Sequence, residues 1–306
     1  MDTPQGEHPP LPGILLGKTV VVIGAGKVGS AVASLLREAG LAVVALTARS
    51  PATAQRAAAL AGGEPGIDNA AAAARGDIVL VTTNDDAIAR VAAEIAEAGS
   101  WRRGQLVVHM SGALPLSVLE PAAVAGATVG CAHPLQSFAT AEDAVRLIPG
   151  SVFGVTPGPG ARELLEAIVG VLRGRTVIVD DADKTLYHAA AVMASNYLVA
   201  VEDMAARLLM NAGFDEESAL VALQPLVAGT VGNIRTLGTT NALTGPIVRG
   251  DIDTVRAHVT ALRDLPGDEL QLYCALGLHT LEIARRRGAL DAETLSALSD
   301  VLAEDR

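Results

Sequence analysis

The feature that most constrains the fold is a glycine-rich turn, Gly24-Ala25-Gly26-Lys27-Val28-Gly29, between an apolar run and an amphipathic segment. The run that begins at Thr19 is typical of a buried strand, and Lys27–Ala39 has helical periodicity. In this setting the first glycine permits a tight turn, the second lets a pyrophosphate approach the backbone, and the third lets helix and strand pack closely. The helix N-terminus adds N–H donors for the phosphates. All six residues are therefore predicted to bind a dinucleotide, and a purely structural glycine turn is the alternative.

The residues after the second predicted strand indicate which dinucleotide is preferred. A carboxylate about 20 residues beyond the motif would bind the ribose 2′-hydroxyl of NAD. This strand is instead followed by Arg49 and Ser50. A guanidinium is a fixed charge with bidentate donor geometry, which suits a 2′-phosphate. We predict NADP(H) as the cofactor, with further contacts from polar residues at later strand ends, Thr82, Thr83 and Ser111.

Up to residue 180, short apolar runs alternate with helical patterns such as Pro51–Ala61 and Ala161–Leu172. The runs are rich in Val and Ile and apolar on both faces, which is typical of a parallel sheet covered by helices. The pattern predicts a doubly wound α/β Rossmann domain. The predicted strands are Thr19–Gly24, Ala42–Leu46, Asp77–Thr82, Gln105–His109, Thr128–Ala132, Ser151–Val155 and Thr176–Val179.

Beyond residue 180 the strand pattern stops, and helical segments are separated by glycine and proline. We predict three parts: a disordered leader over 1–13, an NADP-binding Rossmann domain over 14–180, and an all-α domain over 181–306. The second domain is expected to contact the substrate and to form a homodimer. Its first helix, predicted to be continuous over 184–210, is apolar nearly all round and needs cover on every side.

Composition excludes several classes of partner. The formal net charge is −11, so nucleic acid and anionic lipid are repelled. The two cysteines, Cys131 and Cys274, are too few for a disulfide framework and lack metal-ligand spacing, which favours a reducing, cytoplasmic setting without a bound metal. The longest apolar run, Leu186–Val201, is shorter than the roughly 20 residues that a membrane span needs, so a buried helix is predicted.

Polar residues near later strand ends and at the start of the second half are candidates for substrate chemistry. His133 precedes a proline, which holds it in an extended pose. His109 is interpreted as a structural histidine within its strand. Lys184 and His188 are about 40° apart on one helix face, since each residue turns the helix by about 100°. Ser195 is close to that face, and Asn196 joins it only if the helix curves. Lys184, His188 and Asn196 are therefore the predicted catalytic residues, with His133 binding the substrate.

A further motif, Asn241-Ala242-Leu243-Thr244-Gly245-Pro246-Ile247-Val248-Arg249-Gly250-Asp251, completes a pattern that resembles a known family. Together with the glycine turn, the His133–Phe138 loop and the Lys184–Asn196 helix, it resembles the Rossmann-like plus DUF2520 proteins from about Gly17 to Asp300. This group is similar to the 6-phosphogluconate dehydrogenase-like superfamily, and some of its members resemble an alternative ketopantoate reductase.

The resemblance implies an NADP-dependent oxidoreductase that acts on a CH–OH or C=O group of a small anionic substrate. In β-hydroxyacid and ketopantoate enzymes a lysine opens the interdomain helix and an asparagine follows one turn later. Lys184 matches the lysine, whereas His188 stands at the second position. The leading hypothesis is reduction of a 2-oxo acid, first of all ketopantoate in pantothenate synthesis. The alternatives are imine reduction of the pyrroline-5-carboxylate reductase type and a non-catalytic NADP(H) sensor.

The segment that begins at Thr244 is predicted to form a turn at the rim of the ligand crevice. Gly245-Pro246 interrupts a helical pattern, and Asp251 is placed to cap the next helix. Arg249 offers a bidentate clamp for a substrate carboxylate, and Thr244 is expected beside it. A plain interhelical turn is the alternative.

Overall fold

The structure is a computed structural model that describes residues 10–304. The chain divides into two compact units, Met1–Asn196 and Tyr197–Arg306. The predicted boundary at residue 180 marks the end of the sheet, and the first unit continues through the next helix. Most of the predicted disordered leader lies outside the described residues. At its end, Leu11 packs against the core just before the short 3-10 helix Gly13–Leu15.

The first unit is built on an eight-stranded sheet with the strand order β3-β2-β1-β4-β5-β6-β7-β8. The doubly wound prediction is confirmed, because the chain passes from β3 back across β1 to β4. The strands are β1 Thr19–Ile23, β2 Ala42–Thr47, β3 Glu64–Gly66, β4 Ile78–Val81, β5 Leu106–His109, β6 Thr128–Pro134, β7 Val152–Pro157 and β8 Arg175–Ile178.

Helices cover both faces of this sheet, and alternate strand residues enter two separate cores. Val20 and Val22 of β1 belong to one core, whereas Val21 and Ile23 belong to the other. This is why the strands are apolar on both faces. The helices are α1 Lys27–Glu38, α2 Pro51–Ala61, α3 Asn69–Ala73, α4 Asp85–Glu97, α5 Glu120–Val124, α6 Ala141–Leu147, α7 Arg162–Val171 and α8 Lys184–Ala194.

Three details of the first unit differ from the prediction. The sheet is not wholly parallel, since β6 and β7 pair antiparallel and β7 and β8 are again parallel. Apolar periodicity is the same for a buried strand in either direction, so it did not reveal the reversal. The short strand β3 and the alanine helix α3 were also missed, because three residues of edge strand and an alanine run carry little pattern.

The second unit is helical, and no strand occurs between residues 181 and 304, as predicted. Its core is formed by the last three long helices, with Val255, Cys274 and Leu298 almost fully buried. The helices are α9 Asn196–Asn211, α10 Glu216–Ala242, α11 Pro246–Arg249, α12 Ile252–Arg263, α13 Glu269–Arg287 and α14 Ala292–Ala303. Gly238 has a positive φ and interrupts α10 with a kink.

The predicted continuous helix over 184–210 is wrong at one point. Ser195 has φ −120° and ψ −69°, so the helix ends at Ala194 and α9 begins at Asn196. The predicted burial of Leu186–Val201 is also wrong for the single chain, where Leu186 is 75% exposed and Val199 is 68% exposed.

Within residues 10–304, no helix has both the length and the apolar character needed to cross a membrane.

Candidate cofactor and catalytic site

The glycine turn connects β1 to α1 with the geometry that its motif predicts. Gly24 has φ +83°, which favours glycine, and a Cβ there would lie 2.5 Å from the Thr83 side chain. A Cβ on Gly29 would collide with the Thr82 hydroxyl. At Gly26 a Cβ would meet nothing closer than 3.9 Å. The first and third glycines therefore serve turn and packing, while the second leaves open backbone for a ligand.

The start of α1 is suited to receive a phosphate. Its N-cap, Gly26, provides no side-chain hydrogen bond, in contrast to Ser50, which caps α2 by accepting from the Thr53 amide. The first amides of α1 therefore keep their donors, at the positive end of a 12-residue helix. Lys27, the first residue of α1, is exposed, Val28 is half-buried, and Ala25 is buried with its amide donating to the Thr47 carbonyl.

The two threonines after β4 differ in their hydrogen bonds. The Thr82 hydroxyl donates to the Gly24 carbonyl at 2.9 Å, which ties the two loops together. The Thr83 hydroxyl is buried and has no partner among the described residues. A buried polar atom without a partner is costly, so this hydroxyl marks a position for a ligand or a water molecule. Together with the glycine turn, the Thr83 hydroxyl fits a bound dinucleotide.

The nucleoside end of the predicted site has an open cleft. A cavity of about 210 Å³ lies where β2 and β3 end and α2 begins, and Arg49 immediately precedes Ser50, the cap of α2. Arg49 is exposed and forms no ion pair or hydrogen bond with the described residues. Its guanidinium is therefore available to a phosphate. The cavity is lined by Pro51, Ala54, Gln55, Pro65, Gly66 and Ile67.

The sheet register brings polar strand ends to a common edge. Ile23 pairs with Val81, Val81 with His109, and His109 with Cys131, so the last residues of β1, β4 and β5 form one row with Cys131 of β6. Residues just beyond this row therefore surround the crevice at the carboxyl ends of the strands, where open α/β sheets bind ligands.

Lys184 is the first residue of α8, shortly after the last strand, and its side chain lies at this edge of the sheet. It is 3% exposed, and its ammonium donates to the Ser111 carbonyl at 3.0 Å and to Cys131 Sγ at 2.9 Å. Asp181 fixes the approach to α8 by accepting from the Leu116 amide at 2.8 Å. Lys184 is therefore a buried residue although it stands at the start of a helix.

The charge of Lys184 has no ionic partner in residues 10–304. Burial raises the pKa of the Cys131 thiol, and Lys184 only partly opposes that rise. The thiol is thus a neutral partner at neutral pH. A buried ammonium without a counter-ion is unfavourable, so this position favours a ligand atom with negative charge.

Ser111 joins Lys184 to the start of α4. Its hydroxyl donates to the Asp85 carboxylate at 2.7 Å and accepts from the amides of Ala113 and Leu114. Asp85 therefore links the start of α4 to the loop that contains Ser111. Asn84 occupies the N-cap of α4, and both Asp85 and Asp86 lie in its first turn.

Two histidines lie beside Lys184 in different settings. His109 is fully buried, and its Nδ1 accepts from the Ser111 amide at 3.2 Å. Its Nε2 has no partner among the described residues. His133 is half-buried, with Nδ1 3.0 Å from the Tyr187 hydroxyl oxygen, and its ring centroid lies 6.4 Å from that of His188.

Both histidines are neutral at physiological pH. Burial is the main cause that lowers the pKa of His109 to about 3, with Lys184 and His133 adding to the effect. Burial also lowers the pKa of His133 to about 4, followed by the charges of His188 and Lys184. Neither imidazole therefore carries an extra proton that it could donate to a reaction near neutral pH.

These depressed pKa values predict that the fold loses stability in mild acid. In the unfolded chain both histidines titrate near their ordinary value of about 6.5. Between that pH and about 3 to 4 the unfolded chain binds more protons, so the free energy of unfolding falls as the pH falls. Each histidine is expected to remove roughly 2 kcal/mol between pH 7 and pH 5, measured by denaturant unfolding.

The control compares two single variants. His109→Gln should flatten the pH dependence of unfolding, whereas His279→Gln, at an exposed position, should leave it unchanged. Equal slopes for the unmodified chain and His109→Gln would contradict this prediction.

Not every predicted residue joins this cluster. Asn196 is exposed and shares none of the hydrogen bonds described for Lys184, while Ser195 lies at the helix break. Thr244 and Arg249 belong to the second unit, where both are exposed. Asp251 caps α12 through the Thr254 amide at 3.1 Å, as predicted. The roles of Asn196, Thr244 and Arg249 in chemistry stay predictions.

Sequence reasoning missed several members of the cluster. Cys131 was set aside as an unpaired thiol, and Asp85 was not among the candidate site residues. Tyr187 was passed over although it lies between Lys184 and His188. Cys131 could have been suggested only by the sheet register that places it beside His109. Helical periodicity gave no reason to choose Tyr187. Among the described residues, no group of three or more His, Cys, Asp or Glu side chains could hold a metal ion.

Comparison with protein families divides the chain into two matched regions. Residues 15–134 match the model of a Rossmann-like domain, and residues 151–280 match the domain of unknown function DUF2520. The chain combines a Rossmann-like domain with a DUF2520 domain. No curated protein matches it.

Solved structures share the fold of this Rossmann-like plus DUF2520 chain. A candidate NADP oxidoreductase from Bacteroides fragilis has 25% identity and a TM-score of 0.70, over 88% of this chain and 98% of that chain. A Thermotoga maritima protein has 23% identity and a TM-score of 0.69, over 88% and 99%. A reductive aminase from Aspergillus terreus, solved with NADPH and ethyl levulinate, has 18% identity and a TM-score of 0.59, over 94% and 93%.

Proposed function

We propose that this chain is an NADP(H)-dependent reductase of a small 2-oxo acid, with ketopantoate as the substrate to test first. The observation that carries the proposal is the buried ammonium of Lys184, which has no ionic partner among the described residues and lies at the edge where the glycine turn also opens. The likeness to the Bacteroides fragilis candidate NADP oxidoreductase supports the oxidoreductase class. Ketopantoate follows from the resemblance of the sequence motifs.

The residues of the glycine turn are proposed to hold the cofactor. The uncapped start of α1 faces the phosphates, the Thr83 hydroxyl supplies a donor, and Arg49 binds the 2′-phosphate. When bound, NADPH supplies a hydride for the carbonyl carbon of the substrate.

Lys184 would stabilise the charge that this reduction creates. An ammonium has three N–H donors, and two of them go to Ser111 and Cys131. The third is available to the carbonyl oxygen of the substrate, which becomes an alkoxide. Because this negative charge develops only along the reaction, the contact stabilises the transition state more than the bound substrate.

Imine reduction is the weaker alternative. A protonated imine is a cation, and the positive charge of Lys184, which forms no ion pair among the described residues, would repel it in a buried setting. A cofactor-binding sensor without turnover is the other alternative, and it requires a buried charge that serves no reaction.

The direct test follows NADPH oxidation by absorbance with a panel of 2-oxo acids and cyclic imines. The proposal predicts turnover of at least one 2-oxo acid. Turnover restricted to imines would replace it with the imine hypothesis. Cofactor binding without turnover of either class would favour the sensor.

Helices α9 and α10 of the second unit predict that the chain forms a homodimer. Both expose several large apolar side chains, and exposed apolar surface of this kind marks interaction sites. A second copy is the simplest partner, since most soluble oligomers are homo-oligomers. Light scattering at micromolar concentration should give twice the chain mass. The exposed side chains include Tyr197, Val199, Leu220, Val221, Leu226, Val231 and Leu237.

Charge placed on this surface should separate the copies. Val199→Glu combined with Leu226→Glu is expected to give a monomer. Val124→Glu is the matched control, because Val124 is 82% exposed on α5 and outside these helices. A monomer mass for the unmodified chain would refute the prediction.

A further inference from the structure

His133 on β6 and Tyr187 on α8 form a polar pair beside Lys184. The Tyr187 hydroxyl oxygen is 3.0 Å from His133 Nδ1, and the two rings are nearly perpendicular at 88° with centroids 5.6 Å apart. This edge-to-face contact fixes the orientation of both rings. The pair is thus constrained both by a hydrogen bond and by ring packing.

Two glycines form a cradle around the pair. A Cβ at Gly112 would lie 2.8 Å from the His133 ring, and a Cβ at Gly154 would lie 2.6 Å from the Tyr187 ring. Gly154 is also the direct partner of His133 in the β6–β7 pairing. Any larger residue at either position would push the pair apart. Backbone from two separate segments therefore holds the rings in place.

The direction of the hydrogen bond follows from the surroundings of the phenol. Burial raises the pKa of Tyr187 to about 12, so the phenol keeps its proton. A phenol O–H is a stronger donor than an imidazole N–H, and an imidazole nitrogen is a stronger acceptor than a phenol oxygen, so the hydroxyl donates to His133 Nδ1. Neutral imidazole has one donor and one acceptor nitrogen, so Nδ1 accepts and Nε2 carries the hydrogen.

The other ring nitrogen of His133 is open. Within residues 10–304, Nε2 has no hydrogen-bond partner, and unlike Nε2 of His109 it is not a fully buried atom. An accessible N–H donor next to a buried ammonium can bind the same ligand. In the described part of the chain, the charged or titratable groups acting on His133 are Tyr187, His188, Lys184, Asp85 and His109.

We propose that Tyr187 is a positioning residue, which holds His133 in the Nε2–H tautomer so that Nε2 donates a hydrogen bond to an oxygen of the substrate. His133 then acts as a neutral donor, and no proton leaves it during the reaction. Lys184 supplies the charge at the site, and His133 supplies a directed hydrogen bond. The identity of the substrate oxygen rests on the proposed function, whereas the tautomer does not.

The tautomer is read directly by two-dimensional nitrogen-15 NMR of histidine side chains in the full chain. The six histidines give separable ring signals, and His133→Gln identifies the signals of His133. We expect the Nε2–H form for His133 in the unmodified chain, with no titration between pH 5 and 8. Tyr187→Phe keeps the ring but removes the hydroxyl, and His133 should then populate both tautomers.

A second His–Tyr pair provides a matched control. In the second unit, His258 Nδ1 is 2.9 Å from the Tyr273 hydroxyl oxygen, with rings 5.8 Å apart at 85°. Tyr273→Phe should alter the signals of His258 only. With an active substrate, Tyr187→Phe is expected to lower kcat/KM by about 3- to 10-fold, the value of one hydrogen bond, while NADPH affinity and Tyr273→Phe kinetics stay unchanged.

Each outcome decides the proposal. Nδ1–H in the unmodified chain, or the same His133 spectrum in Tyr187→Phe, would overturn it. A changed tautomer with unchanged kcat/KM would also overturn it, because the tautomer would then have no effect on the substrate. If no oxo acid or imine is reduced, the proposed function fails, and the NMR result still decides whether Tyr187 sets the tautomer.

Discussion

Replacing Lys184 with methionine is expected to lower turnover by about 100- to 1000-fold, the usual effect of losing one electrostatic donor to a developing oxyanion. Methionine has a similar length and no charge, so the packing around Ser111 and Cys131 is largely retained. NADPH affinity should stay unchanged, because the glycine turn is untouched. Single-turnover kinetics at saturating NADPH measures the effect.

The same variant is expected to gain thermal stability although it loses turnover. Lys184 is buried without an ionic partner in the described residues, so removing its charge should raise the melting temperature. Lys18→Met is the matched control, since Lys18 precedes β1 at the opposite edge of the sheet and should affect neither quantity strongly. Retention of more than about a third of the turnover in Lys184→Met would contradict the catalytic role.

Replacing Arg49 with alanine is expected to abolish most of the preference for NADPH over NADH. Arg49 has no partner among the described residues, so its guanidinium is available to the 2′-phosphate. A hydrogen bond to a charged group is worth about 1.5–3 kcal/mol, which corresponds to roughly 10- to 150-fold in affinity. The dissociation constants of both cofactors, measured by calorimetry or fluorescence, give the ratio.

Arg56 separates a specific contact from general charge. It lies on α2 and donates to the Thr53 hydroxyl at 3.0 Å, so Arg56→Ala removes the same charge from the same region. Its preference for NADPH should match that of the unmodified chain. Equal affinity of the unmodified chain for NADPH and NADH would refute the assignment of Arg49.

The geometry of the glycine turn could be predicted because local sequence specifies it. Strand, glycine turn and helix are adjacent in the chain, and each glycine has a separate steric reason that any Rossmann turn shares. Gly24 needs a positive φ, and Gly29 needs room beside Thr82. The place of Arg49 just after β2 follows the same logic, since the end of this strand lies at a fixed distance in sequence from the turn, and its role toward the cofactor stays a prediction.

The cluster around Lys184 was only partly predictable, because its members come from separate segments. Lys184 was chosen from its place at the start of a helix, yet its burial depends on the carbonyl of Ser111 and the thiol of Cys131, far away in sequence. Periodicity cannot report such contacts. It also placed Ser195 on the face of a continuous helix, whereas the backbone breaks there.

The sequence by itself determined the alternating order of strands and helices, the glycine turn, the change to an all-helical second half and the cap at Asp251. These features depend on short-range periodicity, φ preferences and hydrogen bonds between near neighbours. The tertiary structure alone decided that β7 runs antiparallel to β6, that His109 and Cys131 share a row, and that Tyr187 bonds to His133. Such contacts arise from sheet register and chain reversal, which join residues that no local pattern relates.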